Sequence, residues 1–273
     1  MIAASSDFEA FFSDLYEENP ENPLLAKLES LVREYFAILE LPPSPTIYDY
    51  LILSLREKDF IATFNWDPFL LQAAKRNVHV SPQPRLAFLH GCALLGVCDQ
   101  DRLKAPMPAD CSKCGKKLRP SRLLFPIKDK DYAEDPHIAG EWDGLSAALR
   151  NAYVVTIFGF GAPATDAKAV KLMEEAWTEQ GPRDLEEIEI IDIKPRDQLK
   201  SKWDQFIVRS HYQITNDYFC SLLARFPRRS CEALFNRLML LNLTDEKQPP
   251  QDVGLKQLQY WFRELVVEEE AAA

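Results

Sequence analysis

The sequence predicts an α/β fold, in which a Rossmann-like parallel sheet carries helices on both faces and a small module is inserted into the chain. An apolar strand at 60–64 leads into a turn and a helix. An apolar run at 153–158 is followed by a glycine turn, a helix and a further strand. Alternating strands and helices are typical of parallel sheets. A non-periodic stretch at 92–126, which contains a Cys-x-x-Cys pair, indicates the module.

The first 59 residues are predicted to be helical. Apolar residues at helical spacing between Asp7 and Leu41 indicate two helices, which prolines 20 and 23 separate. Prolines 42, 43 and 45 end the second helix, and a third is expected from Thr46 to Arg56.

A strand, a turn and a helix come next. The strand covers 60–64, and Asp67 followed by Pro68 is typical of an N-cap with proline at the first helical position. The helix is expected to end near Arg76. Residues 78–80 and 86–89 are short candidate strands.

The second half contains the most strand-like run. Residues 153–158 are apolar on both faces, which favours a buried parallel strand. Other elements are predicted as helices at 142–151, 167–178, 217–225, 230–241 and 255–267, and strands at 188–193 and 205–208. We therefore expect one α/β domain over residues 1–273, with the inserted module at 92–126 and helical N- and C-terminal extensions.

Composition excludes two classes of function. The 273 residues carry a formal net charge of −10, without the concentrated basic surface of a general nucleic-acid binder, so no direct nucleic-acid binding is expected. No apolar run approaches the roughly 18 residues of a membrane span, so no membrane association is expected. The start lacks a signal-peptide pattern, which favours a cytoplasmic location.

Gly159 and Gly161 follow the central strand, where parallel sheets bind their ligands. Without side chains, they would let a phosphate or ribose approach the backbone, and the next helix offers free N–H groups to an anion. Asp192 ends the following strand, and a carboxylate there accepts both hydroxyls of a ribose. The alternative for the glycines is a tight turn between strand and helix, with Asp166 as the N-cap. The alternative for Asp192 is a strand end at the surface.

Cys111 and Cys114 have the spacing of a zinc knuckle. A structural Zn²⁺ site needs two further ligands, and Cys92 and Cys98 precede the knuckle at a plausible distance, although their mutual spacing is unusual. Six cysteines are too few for a disulfide scaffold in a chain of this size. The alternatives are Cys98 with another ligand, or no metal.

His90 ends an apolar strand and precedes Gly91 in a chain with four histidines. An imidazole that titrates near neutrality can take a proton from a ribose hydroxyl and act as a general base. The alternative is a structural histidine. Asn65 and Asp67 have a comparable alternative, because such residues after a strand commonly form turns and cap helices.

The order of these motifs resembles the sirtuin superfamily, and in particular its bacterial sirtuin-like branch. The similarity covers roughly 59–195: strand-Phe-Asn-x-Asp, His-Gly, a zinc ribbon, strand-Gly-x-Gly and strand-Asp. It implies that NAD is bound as a substrate and Zn²⁺ as a structural ion. It further implies three catalytic residues and six cofactor-binding residues: catalytic His90 as base with Asn65 and Asp67 at the nicotinamide ribose, and Phe64, Gly159, Phe160, Gly161, Asp166 and Asp192 at the cofactor.

One departure from the family limits what the resemblance implies. Family members open with a strand and a Gly-Ala-Gly turn that holds the pyrophosphate, whereas the first glycine here is Gly91. The leading hypothesis is an NAD hydrolase that releases nicotinamide, with a role in anti-phage defence. The alternatives are a catalytically silent nucleotide-binding or scaffolding protein, and an NAD-dependent protein deacylase. The aromatic helical ends are expected to pack on the core, or else to bind a second copy or a partner protein.

Overall fold

The computed structural model describes residues 8–127, 130–181, 185–207 and 211–272. The helices are α1 (Phe8–Glu18), α2 (Pro23–Ala37), α3 (Ile47–Leu53), α4 (Phe69–Asn77), α5 (Pro136–Asn151), α6 (Ala167–Thr178), α7 (Arg196–Lys202), α8 (Leu222–Arg225), α9 (Ser230–Met239) and α10 (Leu255–Ala272). The strands are β1 (Phe60–Thr63), β2 (Arg85–Phe88), β3 (Leu95–Val97), β4 (Lys104–Pro106), β5 (Arg119–Pro120), β6 (Val154–Phe158), β7 (Glu187–Ile191) and β8 (Tyr212–Thr215).

The parallel strands confirm the α/β class but form two sheets. β1 pairs with β2, in the register Phe60 with Arg85, and β6, β7 and β8 form a second parallel sheet in that order. Within the described residues β1 and β6 do not pair with each other. The expected continuous sheet is therefore interrupted between these two strands.

Helices cover both faces of the strands, as predicted. Alternate side chains of a strand point to opposite faces. Ala87 of β2 packs in one core cluster with residues of α5 and α6, whereas Phe88 packs in another with residues of α3 and α4. α8 and α10 join α3 around Ile191 at the end of β7. Phe88 at the end of β2 and Ile191 at the end of β7 therefore both belong to core clusters that include α3.

β7, rather than β6, is the fully buried strand. All five residues of β7 are buried, whereas β6 buries only Ile157. β6 was predicted to be buried because it is apolar on both faces, but it pairs with a neighbour on one side only. Two other predicted strands are not formed: 78–80 is a turn, and Asp204–Phe206 is a short 3-10 helix. Residue 208 of the second lies outside the described residues.

The inserted stretch contains its own small sheet. β3 pairs antiparallel with β4 and with β5, in the order β4-β3-β5. The strands are two or three residues long, too short for an independently stable sheet. Such a module needs further stabilisation, which the cysteines described below can provide.

One aromatic side chain in each helical end, Phe12 and Phe262, is fully buried within the chain. Phe12 of α1 stacks on Phe125 with ring centroids 4.7 Å apart, and Phe262 and Leu265 of α10 are buried against α3 and α8. In the described part of the chain, no helix combines the length and apolar character that a membrane crossing requires.

Candidate functional site

Aromatic side chains bring together the carboxyl ends of the two parallel sheets. Phe64 follows β1, His90 follows β2 and Phe160 follows β6. The rings of Phe64 and Phe160 stack with centroids 4.0 Å apart and an interplanar angle of 2°. His90 meets the edge of Phe64 with ring centroids 5.0 Å apart. We call this group, with Tyr132, Lys130 and Asp166, the carboxyl-edge cluster.

His90 is enclosed in this cluster. The residue is 5% exposed, its ring lies parallel to that of Tyr132 at 6.0 Å, and its Nε2 is 3.6 Å from Asp166 Oδ1 without a hydrogen-bond partner among the described residues. Burial, and then the charge of Lys130, lower the pKa of His90 to about 3. The sequence-based expectation of titration near neutrality is therefore wrong for this arrangement. The imidazole is neutral at physiological pH and is a weak base.

Asp166 and Lys130 form a buried ion pair. Lys130 is 3% exposed, and its ammonium group contacts the Asp166 carboxylate and donates to the Thr165 carbonyl at 3.1 Å. Asp166 precedes α6, as predicted, but its side chain makes no capping hydrogen bond. Lys130 was not predicted as a site residue, because an exposed lysine and a buried one have the same local sequence signal.

Asn65 and Asp67 lie in the turn after β1. The Asp67 carboxylate accepts a hydrogen bond from Phe69 N at 3.0 Å, which closes the turn immediately before α4. Burial raises the pKa of Asp67. Asn65 is exposed, and its backbone N–H donates to Thr63 Oγ1 at 3.1 Å. The turn-forming role that was weighed against a functional one is thus present, whereas the predicted cap is wrong: α4 begins at Phe69, with Pro68 rather than Asp67 as its N-cap.

The glycine turn after β6 lies beside the end of β7. Gly159 has φ +63°, a conformation that favours glycine, and its N–H donates to the Ile191 carbonyl at 2.9 Å. The Asp192 carboxylate accepts from Lys194 N at 3.0 Å. Lys194 Nζ lies 3.2 Å from the position that a Cβ of Gly161 would occupy, and Lys202 donates to the Gly161 carbonyl. Two ammonium groups, neither predicted, therefore border the turn.

A separate group of four side chains can hold a metal ion. The ligand atoms of Cys98, Asp101, Cys111 and Cys114 all lie within 4.8 Å of one another. Two of the thiols, those of Cys98 and Cys114, are 3.6 Å apart, and Cys111 Sγ is 3.1 Å from the Asp101 carboxylate. Ligand atoms around a tetrahedral Zn²⁺ lie about 3.8 Å apart, and thiolates with a carboxylate are a zinc donor set. The residues fit that ion.

The structure corrects the fourth metal ligand. Cys92 is fully buried in the core beside Phe88, and its Sγ is 3.7 Å from the Asp67 carbonyl. Burial raises the pKa of the Cys92 thiol to about 11, so it is an inert core thiol. Asp101 takes its place in the cluster. The signal was present, because Cys98-x-x-Asp101 repeats the spacing of Cys111-x-x-Cys114.

Comparisons with known proteins return Sir2 homologues at low similarity. A Sir2 homologue solved with NAD is 16% identical, with 83% of this chain and 78% of the other covered and a TM-score of 0.43. Sir2 solved with an inhibitor, 2′-O-acetyl-ADP-ribose and a deacetylated p53 peptide is 14% identical, with 86% of each chain covered and a TM-score of 0.39. TM-scores and identities this low support no conclusion about fold or activity. No protein-family model and no curated protein matches the chain.

Proposed function

We propose that this protein is a sirtuin-like protein that binds NAD across the carboxyl ends of β1, β2, β6 and β7, and that it hydrolyses NAD to nicotinamide and ADP-ribose. One observation carries the proposal: residues 64, 90, 160 and 166, far apart in sequence, contact one another at the edge where parallel sheets bind ligands. The motif order described above supplies the identity of the ligand.

The glycine turn and its surroundings would hold the anionic and ribose portions of NAD. Gly159 and Gly161 leave the backbone open to close approach, and the ammonium groups of Lys194 and Lys202 lie beside them. Asp192 at the end of β7 would accept hydrogen bonds from ribose hydroxyls. These lysines offer one physical answer to the missing Gly-Ala-Gly turn.

Hydrolysis would take place at His90, Asn65 and Asp67 rather than at the glycine turn. A water oxygen forms a bond to C1′ of the nicotinamide ribose, and the bond from C1′ to the pyridinium nitrogen breaks. Nicotinamide leaves with the bonding electrons, which neutralises its ring. The water proton passes to His90 Nε2, while Asn65 and Asp67 position the ribose. His90 must first be uncovered, because the stacked Phe64 and Phe160 and the ring of Tyr132 enclose it.

The same enclosure favours a second candidate, a catalytically silent NAD-binding protein. A buried imidazole with a pKa of about 3 is a poor general base near neutral pH. In this case NAD would bind at the glycine turn and Asp192 without release of nicotinamide.

Calorimetric titration of NAD into zinc-loaded protein, with nicotinamide release followed in the same sample, separates these possibilities. Hydrolysis predicts binding with release, weaker binding in Asp192→Ala, and loss of release in His90→Ala with binding retained. The exposed His79 provides the control His79→Ala. Binding without release establishes the silent protein. No binding at millimolar NAD overturns both proposals.

We propose a structural Zn²⁺ held by Cys98, Asp101, Cys111 and Cys114. The closed donor set leaves no position for a catalytic water. A role in anti-phage defence would follow from NAD depletion. Expression of the protein and of His90→Ala in phage-challenged bacteria tests it, and equal plaque counts for the two would refute a role that depends on hydrolysis.

A further inference from the structure

A second site candidate lies at the amino end of β2, away from the carboxyl-edge cluster. A cavity of about 400 Å³ opens between β2, α5 and the inserted module. Its charged and titratable lining residues are Arg85, Arg102, Lys104, His137 and Glu141, and Gly140 and Gly144 of α5 also line it. Its volume falls in the range of small-molecule sites. We call it the β2 cavity.

The charge of the cavity is positive once internal pairs are counted. Lys104 Nζ is 2.7 Å from Glu141 Oε1 and 2.8 Å from Glu141 Oε2, so these two groups neutralise each other. Arg85 and Arg102 have no carboxylate within ion-pair distance among the described residues. In a chain with a net charge of −10, two uncompensated guanidinium groups on one cavity favour an anionic ligand.

Two neighbouring groups restrict the position of the Arg85 side chain. Its guanidinium carbon lies 5.5 Å from the centroid of the Phe60 ring, and Nη2 lies 3.4 Å from the position of a Cβ on Gly144. The guanidinium group of Arg85 therefore lies between the Phe60 ring and Gly144 of α5. An ordered guanidinium loses less conformational freedom when it binds an anion.

Two features of α5 open the cavity at a cost to the helix. A Cβ on Gly140 would meet nothing within 4 Å, and a glycine inside a helix costs about 1 kcal/mol relative to alanine. One turn earlier, His137 Nε2 is buried without a hydrogen-bond partner among the described residues, and it lies 3.7 Å from Glu141 Oε1. The open helix surface at Gly140 leaves room for an occupant of the cavity.

We propose that the β2 cavity binds a small phosphate monoester with an apolar body. The terminal phosphate oxygens match the guanidinium groups of Arg85 and Arg102, because guanidinium pairs with phosphate through two parallel hydrogen bonds. Phe60, Leu86 and Pro136 provide apolar wall for the remainder. This site is independent of NAD binding at the carboxyl edge.

The test is a calorimetric titration of phenyl phosphate into the zinc-loaded full chain. We expect saturable binding at one site, weakened about tenfold or more in Arg85→Gln and in Arg102→Gln. Gly140→Leu should block binding without a change of charge, since leucine is a better helix former than glycine and would fill the cavity. Arg263→Gln, on an exposed position of α10, is the control and should bind like the wild type.

Three results would overturn the assignment. They are the absence of saturable binding at millimolar phenyl phosphate, equal binding by the Arg85→Gln/Arg102→Gln double variant, and equal affinity for benzoate, which carries a carboxylate in place of phosphate. Unchanged affinity in Asp192→Ala is expected, and it separates this site from the NAD site. Thermal unfolding of each variant confirms that it is folded.

Discussion

The two ends of β2 differ in almost every physical respect. At the carboxyl end, His90 is enclosed by aromatic rings and lies beside a buried ion pair. At the amino end, Arg85 lines an open cavity with uncompensated positive charge. The carboxyl end has the recognisable motif residues but is closed, whereas the amino end has no motif but is accessible. A sequence motif therefore identifies chemistry that a site can perform, and says nothing of whether the site is open.

Loss of the proposed Zn²⁺ should have the largest effect, and it should disturb only the module beside the amino end of β2. Cys98→Ser, Cys111→Ser and Cys114→Ser are expected to lose the roughly one zinc per chain that a structural site holds, and with it the module that forms one wall of the β2 cavity. Elemental analysis measures the metal. Cys92→Ser is the matched control and should keep its zinc, since Cys92 lies in the core. Zinc loss in Cys92→Ser alone would contradict the ligand set.

Lys130→Met should destabilise the region at the carboxyl end of β2. It leaves the Asp166 carboxylate buried without its partner, a change that typically costs about 3–5 kcal/mol. Urea unfolding measures the loss. Lys171→Met removes an exposed pair with Glu175 and should cost less than about 1 kcal/mol. If the two variants were equally stable, the buried pair would not hold this region together.

A fall in pH should lower the free energy of unfolding through His90, at the carboxyl end of β2. Its folded-state pKa of about 3 lies below the ordinary value of 6.5, so the unfolded chain binds the proton first. Its stabilising contribution is complete above pH 6.5 and is lost as the pH falls from 6.5 towards 3, by up to about 1.4 kcal/mol per pH unit. Urea unfolding of wild type and His90→Gln at pH 7.5 and 5.5 should show a smaller pH dependence in the variant. His79→Gln should retain the dependence of the wild type.

The smallest expected effects come from single glycines. Gly140→Ala should stabilise the protein by somewhat less than about 1 kcal/mol, because a Cβ there meets nothing and the helix propensity improves. Gly159→Ala should destabilise it by about 1 kcal/mol, because φ is +63°. Melting temperatures report both signs. Equal shifts in the same direction would show that the difference in backbone conformation between the two glycines is not decisive.

Local patterns predicted the elements at the carboxyl end of β2 better than those at its amino end. α5 begins at Pro136, whereas the predicted helix begins at 142, so the first turns of α5, which line the β2 cavity, were missed. The strand, turn and helix around Asn65 and Asp67 and the glycine turn at Gly159 are encoded within a few residues, through apolar runs, caps and backbone freedom. His90 contacts Phe64, and Phe64 stacks on Phe160, while the roles that the motif order assigned to these residues stay predictions. Cys92 was included because it precedes the knuckle at a plausible distance, whereas the x-x spacing of Cys98 and Asp101 was the better signal.

Features that depend on long-range packing were not predictable. The burial of Lys130 depends on α6, which lies more than 30 residues away along the chain, and the lowered pKa of His90 depends on the rings that enclose it. Arg85 and Arg102 line the same cavity because the module folds back beside β2. The interruption between β1 and β6 is a property of whole strands, and no residue within them signals it.

The free edge of β2 has a consequence for behaviour at high concentration. Glu141 accepts a hydrogen bond from Phe88 N at 2.8 Å, and Lys104 Nζ donates to the Leu86 carbonyl at 2.5 Å. These side chains occupy backbone groups that an exposed strand would otherwise offer to another polypeptide. By occupying them, the ion pair of Lys104 and Glu141 would disfavour the addition of a strand from a second molecule to β2.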